Sequence, residues 1–198
     1  MNSTSQTILA GFENPAQQSQ HVFRQVLEAM SHPGKIVTID GIPAGPHELS
    51  PAAVAVCLTL IDYETPLWLD EGSSSAQSYF TFHCGCPVVA KPQAAQFALI
   101  SNPQALQSFN QFNIGTNEHP ELSTTLIIDV ERLGSIDGTV LTGPGIKDIA
   151  TLDISGINGE FWALVKENRE LFPRGIDIVL TSGSCVAALP RTVIVEDR

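Results

Sequence analysis

The end of the chain constrains the fold more than any other part. Residues 176–180 and 186–189 are apolar runs of β type, and Ser182-Gly-Ser184 between them has the chemistry of a hairpin turn. A further β-type run at 192–195 completes a strand-rich terminus. Pro-Arg steps flank the hairpin: Phe172-Pro-Arg174-Gly ahead of its first run and Leu189-Pro-Arg191-Thr192 after its second. Apolar strands of this kind sit inside a covered sheet, so both guanidiniums start beside core. The chain holds ten Lys and Arg among 198 residues, with a formal net charge of −11. Two arginines fixed on Pro/Gly punctuation therefore stand apart from generic surface charge.

Upstream, helices alternate with strands. Asn14-Pro15 supplies an N-cap and a proline at the first helical position, with Gln17 placed as the capping-box partner. Val22, Phe23, Val26, Leu27 and Met30 then repeat at helical period, predicting a helix over 16–30 that His32-Pro33-Gly34 stops. A short strand is expected at 36–39. Ser50-Pro51 opens a second helix over 52–61, and Asp62-Tyr63-Glu64-Thr65-Pro66 turns the chain into a strand at 67–69. A third helix is expected over 73–82 and a strand at 96–100. Asn102-Pro103 caps a short helix ending near Phe109, and 126–130 reads as a buried strand. Val140-Leu141 leads into the turn Thr142-Gly-Pro-Gly145. Asn158 caps the last helix, with Phe161, Trp162, Val165 and Phe172 facing inward. Together these predict an α/β fold in which helices flank a mixed β-sheet. Residues 1–13 form a flexible lead-in, and 14–198 a single domain.

Composition excludes several function classes. A pI near 4.7 and the lack of any Lys/Arg cluster argue against nucleic acid and anionic membrane surfaces as partners. The opening residues lack a signal-peptide pattern, and no apolar run reaches the ~18 residues of a membrane span, so a cytoplasmic address is expected. Four cysteines at 57, 84, 86 and 185 fit reduced thiols better than a disulfide framework. His83-Cys84-Gly-Cys86 gathers three potential zinc ligands, yet structural zinc favours two separated pairs, so no metal site is expected. A zinc-binding adaptor through those three residues stays open as a reading.

Phosphate-binding loops and a nucleophile elbow are absent from the sequence, and none of the four lysines has a cofactor-lined context. No catalytic residue and no cofactor follow from the residues. Five side chains remain as ligand candidates. Arg174 and Arg191 offer planar, pre-positioned donors for a carboxylate or phosphonate. Arg24 sits on the first helix, where snorkelling over the core edge is its ordinary role. His32 lies at a helix C-terminus, which favours imidazolium. Asp62 stands in the turn after the second helix. A cleft uniting Arg, His and Asp would make the chain an independent small-molecule enzyme.

Four segments carry a resemblance. They are 23–34 (Phe-Arg-Gln-Val-Leu-Glu-Ala-Met-Ser-His-Pro-Gly), 58–69 (Leu-Thr-Leu-Ile-Asp-Tyr-Glu-Thr-Pro-Leu-Trp-Leu), Leu141-Thr-Gly-Pro-Gly-Ile146, and the paired Pro-Arg segments 172–180 and 189–192. In order, over about 12–196, they resemble the PhnH family, a subunit of the bacterial carbon–phosphorus lyase system. The resemblance implies a fold related to PLP-dependent transferases without the cofactor or its lysine. It also implies a homodimer that assembles with the PhnG, PhnI and PhnJ subunits. With PhnG, PhnI and PhnL, such a subunit is implicated in transferring ribose triphosphate from ATP to a phosphonate with release of adenine. PhnJ then breaks the carbon–phosphorus bond. ATP or a phosphonate is thus the expected ligand of a shared site. The Cys84-Gly-Cys86 pair departs from the family pattern, and neither cysteine inherits a role. The scattered arginines suit a subunit that shapes a shared site better than a self-sufficient transferase, since a polyphosphate normally demands several cations or a glycine-rich loop.

Overall fold

The computed structural model describes residues 9–41 and 45–196. Helix α1 spans Pro15–Ser31, and the Asn14 side chain accepts from the Gln17 N–H at its start. The reciprocal bond comes from Gln18 instead of Gln17: the Asn14 N–H donates to Gln18 Oε1 at 2.7 Å. One residue further into the helix, Gln18 is better placed to reach back. His32 caps the end and Gly34 reverses the chain at φ +83°.

Strand β1 (Val37–Thr38), helix α2 (Pro51–Leu60), strand β2 (Leu67–Leu69), helix α3 (Gln77–Cys84) and strand β3 (Phe97–Ile100) follow. A 3₁₀ turn, Ser74–Ala76, precedes α3 and takes the front of the helix expected from residue 73. Of the expected helix from Asn102 to Phe109, a single 3₁₀ turn, Pro103–Ala105, forms.

Then come β4 (Thr125–Asp129), β5 (Arg132–Thr142), β6 (Ala150–Ser155), α4 (Phe161–Glu170), β7 (Asp177–Ser182), β8 (Cys185–Leu189) and β9 (Ile194–Val195). The long β5 and its partner β6 are absent from the sequence reading beyond Val140-Leu141. Their register jumps between Gly134 and Thr139, so 135–138 bulge out of the ladder and hide its period.

Six strands form one mixed sheet in the order β1-β8-β7-β4-β3-β2. Strands β2, β3, β4 and β7 are mutually parallel, and β8 pairs antiparallel with both β7 and β1. The β7–β8 hairpin closes through Gly183-Ser184, as its turn chemistry dictates. Alternate residues face opposite cores. Leu67, Leu99, Ile127, Val179, Val186 and Ala188 pack under α1, α2 and α3. Ala98, Leu126, Ile128, Ile178, Leu180 and Leu189 face α4 and a small sheet, β6-β5-β9. Helices were expected on both faces; here one face is shared between a helix and a second sheet.

α2 is the centre of the first layer. Residues 52–57 are all buried, and with three alanines among them the helix lies close on the sheet. α1 is outermost. Val22, Val26 and Ala29 face inward, but Phe23 and Leu27, expected in the buried stripe, are about half exposed.

Candidate functional site

An open cleft of about 440 Å³ lies where three of the four segments of the resemblance converge, and it contains Met30, Ser31, Pro144, Gly145, Phe172, Asp177, Pro190, Arg191 and Thr192. Each comes from one of three places: the end of α1, the turn after β5, or the two Pro-Arg segments around the terminal hairpin. Glycine explains why the first two meet. Gly145 adopts φ +85°, and a Cβ there would run into the carbonyl oxygen of Ser31. Gly34 adopts φ +83°, and its Cβ would crowd Leu141 Cδ1 at 3.0 Å. The Ser-His-Pro-Gly and Gly-Pro-Gly sequences are therefore two halves of one contact, backbone against backbone.

Arg191 sits in the wall of this cleft with its side chain 13% exposed. Its Nε donates to Asp177 Oδ1 at 3.2 Å, and Nη2 donates to Asp177 Oδ2 at 2.6 Å and Ser123 Oγ at 2.7 Å. Nη1 donates to the carbonyls of Pro120 at 2.9 Å and Pro173 at 3.3 Å. A guanidinium has five N–H donors, and all are used here. The Arg191 backbone N–H also donates to Asp177, at 2.8 Å. Arg191, expected as a ligand group, instead fastens the loop at 120–123 and the first Pro-Arg step to the end of the hairpin.

Arg174 differs. Its Nε is buried and has no hydrogen-bond partner among the described residues, and the same holds for Arg169. The Arg169 guanidinium carbon lies 5.3 Å from the centroid of the Phe172 ring. Phe172 itself, expected on the inner side of the last helix, is 53% exposed and lines the cleft. Arg169 was not singled out from sequence. Its spacing of three residues before Phe172, at a helix end, is the signal that could have found it.

Arg174 and the remaining candidates are not among the residues lining the cleft. His32 Nδ1 lies 3.3 Å from Glu28 Oε1, an oxygen that also accepts from Lys35 Nζ at 2.7 Å. The hydrogen bond from Lys35, with the nearby charges of His32 and Lys35, holds the Glu28 carboxyl below the usual range. Asp62 folds into its own turn: Oδ1 accepts from the Glu64 N–H at 2.9 Å, and the Asp62 N–H donates to Thr65 Oγ1 at 2.7 Å. Arg24 is exposed on α1. His32, Asp62 and Arg191 thus stand in three separate settings, and the cleft that would unite Arg, His and Asp does not form around them.

His83 and the cysteines are likewise occupied. His83 Nε2 is 2.9 Å from the Leu9 carbonyl and Tyr79 Oη donates to the Ala10 carbonyl at 3.0 Å, so residues 9–10 are strapped onto α3. The first eight residues of the expected lead-in lie outside the described residues. Burial pushes the Cys84 thiol up to about 12, with Cys86 and Asp62 nearby adding to the shift; burial also raises Cys57 and Cys86. Among the described residues no three His, Cys, Asp or Glu side chains gather as a metal-binding group, and no helix is long and apolar enough to cross a membrane.

At the far side of the sheet, Asp129 ends β4 and is mostly buried. Its Oδ2 accepts from the Ser50 N–H at 2.6 Å and Oδ1 from Thr181 Oγ1 at 2.9 Å. Burial raises its carboxyl above the usual range despite those bonds. It positions the start of α2.

Comparison with known proteins adds three findings. Residues 10–196 match the family described as bacterial phosphonate metabolism protein (PhnH). The chain is 38% identical over 198 residues, covering 99% of both chains, to the "alpha-D-ribose 1-methylphosphonate 5-triphosphate synthase subunit PhnH" of Rhizobium meliloti (strain 1021). It is 33% identical over 178 residues to the "putative C-P lyase subunit protein HtxG" of Stutzerimonas stutzeri, covering 89% of this chain and 85% of that protein.

Proposed function

This chain belongs to the PhnH family of bacterial phosphonate metabolism, and on that premise we propose that it acts as a non-autonomous subunit in ribosyl-triphosphate transfer to phosphonates. PhnH is a subunit of the carbon–phosphorus lyase and ribose methylphosphonate triphosphate synthase system. In this reading the chain works with PhnG, PhnI and PhnL to move ribose 5-triphosphate from ATP to a phosphonate. It pairs with a second copy of itself and joins PhnG, PhnI and PhnJ in the cytoplasm. Residues 14–198 act as one domain, related in fold to PLP-dependent transferases but without the cofactor.

One observation carries the subunit reading. Three of the four segments that mark the family meet in one cleft, and the arginine in its wall is spent on the fold. A triphosphate would need cations free to move onto developing charge. Arg191 offers none, so the cleft makes better sense as a surface completed by other chains. Arg174, with its buried unpartnered Nε, is the group this chain lends to the shared site.

Co-expression with PhnG, PhnI and PhnJ, followed by size exclusion with light scattering, tests the reading. A stoichiometric assembly containing this chain is expected. A chain that elutes apart from those partners would contradict it and return the independent-enzyme reading to the front.

A further inference from the structure

Two guanidiniums with buried, unpartnered Nε atoms sit on one short segment of a chain that carries an excess of acids. A buried donor without an acceptor is costly, and native structures rarely leave one so. The segment is held in place. Asn168, buried at its start, accepts from the Ile176 N–H at 2.8 Å and donates to the Ile176 carbonyl at 2.9 Å. Residues 169–175 therefore form a closed loop with a fixed neck, and Arg169, Phe172 and Arg174 are its side chains of interest. Gly175 allows that closure, since a Cβ there would stand 2.9 Å from Asn168 Oδ1.

Phe172 joins this loop to the cleft, with Arg169 stacked on its ring. Met30, Pro144 and Pro190 supply the other apolar walls. Leu27 and Phe23, one and two turns back along α1, are also about half exposed, so apolar surface continues from the cleft along the helix. The charged residues inside the cleft, Asp177 and Arg191, are bound to each other. A small molecule would find few convergent polar groups there to orient it. An apolar cleft adjoining a loop that carries two arginines, one of them stacked on the cleft residue Phe172, instead has the anatomy of a protein interface.

We propose that this cleft docks an apolar side chain of a neighbouring subunit, and that Asp or Glu residues flanking that side chain pair with Arg169 and Arg174. The inference rests on the subunit reading and names the chemistry of the partner segment: acidic residues on either side of a large aliphatic or aromatic one. Charge complementarity selects it, because a basic or neutral segment would bring no counter-charge to Arg169 and Arg174, whose Nε atoms have no acceptor among the described residues.

The test uses the full chain with the co-expressed partner subunits. Arg169→Glu with Arg174→Glu should weaken association by about 100-fold, and Phe172→Ala by about 10-fold. Arg169→Lys with Arg174→Lys should keep most of it, and Lys91→Glu, a single charge-reversal control between α3 and β3, should change little. Thermal unfolding and circular dichroism of each isolated variant establish that it is folded; Arg169→Gln with Arg174→Gln serves if the reversal is not. ATP, orthophosphate and methylphosphonate are added as competitors, and no displacement is expected. Undiminished association after charge reversal, with wild type assembling normally, overturns this inference and leaves the subunit reading standing. Competition by ATP or orthophosphate that depends on Arg169 and Arg174 overturns it in favour of a small-anion site. Failure of the wild type to assemble removes both.

Discussion

The two Pro-Arg steps are nearly the same sequence and have opposite fates. Arg191 follows Pro190 at the end of the hairpin and uses all five donors on Asp177, Ser123, Pro120 and Pro173. Arg174 follows Pro173 on the loop after α4 and keeps its buried Nε without an acceptor. The segments even touch, since the Pro173 carbonyl is one of the acceptors for Arg191. The difference lies in what the fold brings alongside. Asp177 is the first residue of β7, and antiparallel pairing lays it beside the residues that follow β8. Among the described residues, no acceptor is brought to Arg174 Nε. One arginine is consumed in making the cleft, and the other keeps a buried Nε without a partner among the described residues.

The sharpest way to break this comparison is to remove the clamp. Arg191→Ala leaves the Asp177 carboxylate largely buried without its cation and frees the loop at 120–123. The expected loss is about 3 kcal/mol of stability, read by denaturant unfolding of the isolated chain. A loss no greater than that of an exposed arginine would show that the clamp carries nothing.

Gly145→Ala comes next. The substitution forces a side chain at φ +85° against the Ser31 carbonyl and should cost about 2–3 kcal/mol. Gly159→Ala is its control, as nothing lies within 4 Å of the added methyl, and it should be neutral within ~0.5 kcal/mol.

Arg174→Ala should sharpen the contrast from the other side. The isolated chain should unfold within ~0.5 kcal/mol of wild type, while association with partner subunits weakens. Equal destabilisation by Arg174→Ala and Arg191→Ala would erase the distinction between them.

A smaller effect is expected with pH, away from the cleft. Cys84 and Tyr79 are each raised to about 12, mainly by burial, and Cys57 is raised too. Between the ordinary thiol value and about 12, the folded chain keeps the Cys84 proton that the unfolded chain loses. Stability should therefore fall as pH rises through that window, and Cys84→Ala should flatten part of the slope in thermal unfolding at pH 8 and pH 10.

Much of the fold was legible because local signals and tertiary structure agree. Asn14-Pro15 and Ser50-Pro51 start helices as they should, residues 67–69 form their strand, and Ser182-Gly-Ser184 closes its hairpin. β5 was largely invisible because Gly134, Asp137 and Gly138 look like turn residues. Gly134 instead pairs with Asp153, and the other two lie in a bulge within the paired strand, where Gly138 lies against the backbone of Leu152. Phe23 and Leu27 have helical period but lie on the edge of the stripe away from the sheet, so period alone could not say that they remain exposed. At the site, the Pro-Arg steps were readable as special, and their roles were not. Which arginine finds an acid depends on strand pairing, and Asp177 to Arg191 is a contact across fourteen residues that only the hairpin makes.

The most direct measurement is adenine release from ATP in the presence of methylphosphonate, for the purified chain alone and again with its partner subunits. No turnover by the chain alone, turnover on adding the partners, and a drop on Arg174→Ala are the expected results. Sustained turnover by the chain alone would contradict the subunit reading and place a complete active site within these 198 residues.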